Sequence, residues 1–138
     1  MSGHRSAYAT PKARSQPAGE SSGVRAILLG MPPVTCHLRY EIDPSALDAF
    51  ERFAKRWIAL VERSGGQHHG YFLPSEGASD VAYALFTFPS FAAYEQYRLG
   101  FGTDPDFLAA DRIRKDSGCV LRYDRSFLRP VLDGDLKA

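Results

Sequence analysis

The sequence predicts an α+β fold of the ferredoxin-like kind, β-α-β-β-α-(α)-β, with a four-stranded antiparallel sheet and helices on one face. Three observations lead there. Residues 34–42 alternate strictly between apolar and polar side chains. An amphipathic helical pattern follows at once. A nearly continuous apolar run, Val81 to Phe88, is then followed by two helix-start signals and a final strand.

In the first strand Val34, Cys36, Leu38, Tyr40 and Ile42 alternate with Thr35, His37, Arg39 and Glu41. Period two gives the strand one apolar and one polar face. Asp43 offers a side-chain oxygen to cap a helix, and Pro44 suits its first turn. Leu47, Phe50, Ala54, Trp57 and Val61 recur at steps of three and four, with charged residues mostly opposite them. Ser64-Gly65-Gly66 ends this helix. A second strand runs from His68 to Leu73, and the turn-rich residues 74–79 lead to the third. The aromatic and β-branched run Val81–Phe88 predicts a strand covered on both faces. Ser90 opens a helix that ends near Gly100, and Asp104-Pro105 opens another that Gly118 closes. The last strand spans Cys119 to Leu128.

The domain is therefore placed at residues 31–130, with a loose tail at 131–138. Residues 1–30 are rich in Ser, Gly, Ala, Pro and Arg without apolar period, and predict a disordered leader. Arg5, Lys12, Arg14 and Arg25 give it the composition of an organelle transit peptide. Met31, just before the first strand, offers the competing explanation that translation starts there, and this is the one favoured, with a cytoplasmic location. A net charge of +1 argues against a dedicated nucleic-acid binder. No apolar stretch approaches the roughly 20 residues that span a bilayer. Two cysteines, Cys36 and Cys119, fall near opposite ends of antiparallel strands and read as small buried residues rather than a bridge.

Helices on one side leave the other face of the sheet open. That face carries Thr35, His37, Arg39 and Glu41, and aromatic residues of the later strands must join them. Such a mixed surface predicts a homodimer packed sheet to sheet around a shared cavity. His37, Arg39 and Glu41 point the same way, roughly 7 Å apart at each step. A histidine beside an arginine and a carboxylate can hold a proton or clamp a carboxylate or enolate. The competing reading is a polar ladder that pairs across the sheet. His68-His69 lacks partners at ligand spacing, so no metal is expected. Phosphate loops and nucleophile elbows are missing too, and no cofactor is implied.

Several segments in order carry a family resemblance: Leu38-Arg39-Tyr40, Gly70-Tyr71-Phe72, Leu85-Phe86-Thr87-Phe88, Arg98 followed by Asp104-Pro105-Asp106-Phe107, and Leu128-Arg129-Pro130. Together they resemble the NIPSNAP family, within the dimeric α+β barrel proteins. The resemblance implies this fold and dimerisation, and transfers no agreed catalytic residues. Ala84 and Phe86 stand where relatives often have His and Trp. Some barrel relatives degrade haem with Asn, Trp and His, and this chain contains no asparagine, so Trp57 reads as core. The leading expectation is a NIPSNAP-like barrel that binds a small, partly apolar, anionic or carbonyl-bearing molecule, with Arg39, His37 and Tyr71 as pocket residues. The alternatives are a cofactor-independent monooxygenase or isomerase using His37 for proton transfer, and a dimeric scaffold for a protein partner.

Overall fold

A computed structural model describes residues 30–131. The leader and tail assigned to residues 1–30 and 131–138 fall, except for Gly30 and Val131, outside the described residues. The elements are β1 (Val34–Ile42), a 3-10 turn (Pro44–Ala46), α1 (Leu47–Arg63), β2 (Gln67–Phe72), β3 (Val81–Phe88), α2 (Phe91–Leu99), α3 (Pro105–Ser117) and β4 (Val120–Leu128). The strands form one antiparallel sheet in the order β2-β3-β1-β4. Both the element order and the fold class match the expectation from sequence.

Local chemistry sets the boundaries. The Asp43 carboxylate accepts from the Ser45 backbone N–H at 3.0 Å and from its hydroxyl at 2.7 Å, starting the 3-10 turn that leads into α1. Ser90 caps α2 through Ala93 N–H at 3.0 Å, and Asp104 caps α3 through Asp106 N–H at 2.9 Å. After α1 the chain passes so close to β3 that a Cβ on Gly66 would lie 2.8 Å from the Phe88 ring and from Val61. Only glycine fits that crossing.

The alternation of β1 divides the sheet. Val34, Cys36, Leu38, Tyr40 and Ile42 face the helices and are buried, as are Ala82, Ala84, Phe86 and Phe88 of β3. From α1, Phe50, Phe53, Trp57, Leu60 and Val61 meet them. Full burial of Phe50, Phe86 and Phe88 contributes about 2 kcal/mol each, so this aromatic layer dominates the stability of the covered side. On the open side, Tyr83 of β3 is 42% exposed. The double cover expected for β3 is thus absent in the single chain, because both long helices lie on the other side.

One irregularity in β2 has consequences for the site. Its pairing with β3 slips between His68 and Gly70, leaving His69 as an extra residue. Gly70 makes the slip with φ +126°, a backbone conformation that side chains resist. Without the bulge Tyr71 would share the open face with Gln67. With it, Tyr71 pairs with Ala84 and turns to the covered face.

Candidate functional site

Between the sheet and the helices lies a partly open cavity of about 500 Å³. Leu38, Tyr40, Phe86 and Tyr123 form its sheet wall; Phe53, Trp57, Tyr94 and Tyr97 come from α1 and α2. Phe101 and Gly102 of the following loop and Leu108 of α3 complete the apolar lining. The ring of Trp57 meets Phe53, Phe101 and Phe107 at centroid distances of 5.3–5.4 Å. Those with Phe101 and Phe107 are edge-to-face and that with Phe53 is tilted, and together they hold the rings in place around the space.

The polar groups gather at defined points. Arg125 of β4 contributes a guanidinium 5.4 Å above the Tyr123 ring and 3.4 Å from that residue's hydroxyl. It forms no ion pair with a carboxylate of the described residues. Asp111, Arg114 and Lys115 of α3 also line the cavity, and there Asp111 is taken by Arg114 at 2.7 and 3.1 Å and by Lys115 at 3.7 Å. Three cations and one engaged carboxylate make this an anion-attracting space. Trp57 Nε1–H donates to the Tyr97 hydroxyl at 2.7 Å, and Arg98 Nη1 donates to the Tyr94 hydroxyl at 3.0 Å. Arg98 is itself only 4% exposed.

Burial holds these groups in defined protonation states. The Tyr97 and Tyr71 phenols are pushed well above the ordinary tyrosine value by desolvation, and that of Tyr94 is raised for the same reason. The Cys36 thiol is pushed up to about 12 by burial, with Arg125 and Arg98 opposing. It remains a thiol at neutral pH, and both Cys36 and Cys119 are free and buried. Burial and then the neighbouring His69 push His68 down to about 4. Its Nδ1 accepts from Gly70 N–H at 2.9 Å, which places the proton of the neutral ring on Nε2.

The residues anticipated from sequence do not assemble as one site. His37 and Arg39 lie on the open face, where the His37 ring stands 5.7 Å from that of Tyr83. Arg39 is engaged in a ladder: it meets Glu41 at 3.4 Å, Glu41 meets Arg122 at 2.7 Å, and Arg122 meets Asp124 at 3.1 Å. Tyr71 is on the far side of the sheet, stacked between Tyr40 and His68 at 6.1 and 5.1 Å. Grouping Tyr71 with His37 and Arg39 is therefore corrected, and the β2 bulge is the reason. His68 and His69 also part: His68 packs on Phe86 of the covered face, while His69 Nε2 bonds the Thr87 hydroxyl at 2.7 Å. Among the described residues no three His, Cys, Asp or Glu side chains come together as a metal site, and no helix is long and apolar enough to cross a membrane.

Arg125, Tyr94 and Tyr97 are the site residues that sequence reasoning passed over. A signal existed for the first. Tyr123, Arg125 and Phe127 share one parity of β4, so an arginine sits between two aromatics on an otherwise apolar face.

The NIPSNAP sequence profile matches residues 37–133, most of the chain and nearly all of the described fold. The chain belongs to the NIPSNAP family. Solved NIPSNAP structures share its architecture. A NIPSNAP-like domain protein from Burkholderia xenovorans is 17% identical over 75% of this chain and 90% of its own, with a TM-score of 0.61. A NIPSNAP family protein from Agrobacterium tumefaciens is 17% identical over 77% and 95%, with a TM-score of 0.62. SnoaB, a cofactor-independent oxygenase from Streptomyces nogalater, is 15% identical over 74% and 96%, with a TM-score of 0.53. At these identities the likeness carries the fold alone. No curated protein matches the chain.

Proposed function

We propose that this NIPSNAP protein binds a small, largely aromatic anion in the cavity between its sheet and its helices. One observation carries the reading: the Arg125 guanidinium lies at the wall of an aromatic cavity without a carboxylate among the described residues to neutralise it. A half-buried cation in apolar surroundings gains most from an anionic partner that brings its own apolar surface. The volume, about 500 Å³, suits a two- or three-ring compound. Calorimetric titration of the full chain with 1-naphthoate and with 1-naphthamide tests this. The acid is expected to bind about tenfold more tightly than the amide, and Arg125→Gln is expected to erase the difference. Equal binding of acid and amide, or binding of neither, would overturn the reading.

The open face supports a second copy of the chain as the partner. Phe72, Tyr83 and Leu128 expose 54%, 42% and 46% of their surface there, with Val81 and Leu85 between them. Two such faces packed together would enclose His37 and Arg39 in the interior of a barrel. Sedimentation velocity is expected to give twice the chain mass of 15.3 kDa, and Tyr83→Lys to give the single mass. A single mass for the unaltered protein would contradict the dimer.

A further inference from the structure

Hydrogen-bond direction narrows the ligand class further, on the basis that the cavity is a binding site. Tyr94 and Tyr97 both line the cavity and both are only 4% exposed. Each phenol oxygen already accepts a hydrogen bond from a group that can only donate. The indole N–H of Trp57 has no lone pair to offer Tyr97, and the Arg98 guanidinium has none to offer Tyr94. The phenol protons must therefore point elsewhere. No described residue accepts from either hydroxyl. Two buried O–H donors, one strengthened by a cation, are left without an acceptor among the described residues in a space that already holds Arg125.

We infer that Tyr94 and Tyr97 form an oxyanion pocket for a weak oxygen acid, a phenol or an enol, which the cavity binds as its anion. Binding releases the ligand's proton to solvent. No bond to the protein forms and no electrons move. The two phenols supply hydrogen bonds that a negatively charged oxygen accepts better than a neutral one does. They are suited to this because burial keeps them protonated far above neutral pH.

The surroundings agree in sign. From β1 come Tyr40 and the buried Cys36 thiol, and from β4 Tyr123 and Arg125. From α3 come Arg114, Lys115 and Asp111, the last already held by the other two. From α2 comes Arg98 behind Tyr94, while α1 and β3 contribute only aromatic rings to the wall. A carboxylate would be met by Arg125 alone. A phenolate or enolate oxygen, conjugated with a flat apolar body, uses the phenol donors and the aromatic walls together.

The test uses para-nitrophenol and the full chain. Trp57 is the chain's one tryptophan and lines the cavity, so quenching of its fluorescence reports occupancy. The visible absorbance of para-nitrophenolate independently reports ionisation of the bound probe. The expected result is quenching together with a bound titration midpoint at least about one pH unit below that of free probe, a tenfold rise in the ionised fraction below it. Tyr94→Phe, which leaves the Trp57–Tyr97 bond intact, is expected to reverse part of the drop, and Tyr94→Phe with Tyr97→Phe to reverse most of it while quenching persists. Quenching without a lowered midpoint would overturn the oxyanion pocket and leave the binding site standing. A lowered midpoint that survives in the double variant would assign the effect to the arginines and overturn it too. Absence of quenching would overturn the binding site and the inference with it.

Discussion

The two faces of the sheet treat their polar groups in opposite ways. On the open face the charges satisfy one another: Arg39, Glu41, Arg122 and Asp124 run as a ladder across β1 and β4. The hydroxyls of Thr35 and Thr87 bond at 2.7 Å, and His69 joins them. On the covered face the polar groups are less completely paired. His68 Nε2 and the Tyr71 hydroxyl are buried without a hydrogen-bond partner among the described residues, and Arg125 lacks a carboxylate there. A paired ladder has little affinity to spare, whereas a cation at a cavity wall without a carboxylate partner among the described residues, as at Arg125, has a reason to bind something. That contrast places the candidate site behind the sheet, away from the more conspicuous row of charges.

The largest test of the contrast is removal of a ring from the covered side. Phe86→Ala is expected to cost about 3–5 kcal/mol in urea unfolding, because Phe86 is buried among rings that cannot collapse onto the space. Next is the pH dependence from His68. Its folded value of about 4 lies below the ordinary 6.5, so the unfolded chain takes up a proton that the fold refuses. Stability should therefore fall as pH drops from about 6.5 to about 4. The loss is expected to be about 2 kcal/mol after allowance for the ring's partial exposure, and His68→Gln should flatten that part of the profile. Thr87→Val is expected to cost about 1–2 kcal/mol, since it strands the buried Thr35 hydroxyl and frees His69. Smallest is Glu41→Gln on the open ladder, expected to cost about 0.5 kcal/mol or less and to matter less still at high salt. A larger cost from Glu41→Gln on the open face than from Phe86→Ala on the covered one would break the comparison.

The fold was legible because each element announced itself locally. The alternation of Val34–Ile42, the Asp43, Ser90 and Asp104 caps and the closing Gly118 depend on neighbours a few residues away. The site was less legible because its geometry depends on register. One bulge at His69 turns Tyr71 to the covered face, and no rule of strict alternation anticipates a slip of one residue. Trp57 was readable as core from its helical stripe, and it is core. That its N–H orients the Tyr97 hydroxyl requires α1 and α2 to be docked, a contact across 40 residues of chain. The charged row of β1 drew attention because it is visible in one strand, but its pairing with Arg122 of β4 spans 81 residues and no local pattern shows it.

The most direct test is an NMR titration of the full chain with 1-naphthoate, following side-chain N–H signals on both faces of the sheet. Saturable shifts are expected at the Trp57 indole and the Arg125 guanidinium, with the His37 ring and Arg39 guanidinium unmoved. Shifts at His37 and Arg39, with Trp57 and Arg125 unchanged, would contradict this and return the binding site to the open face.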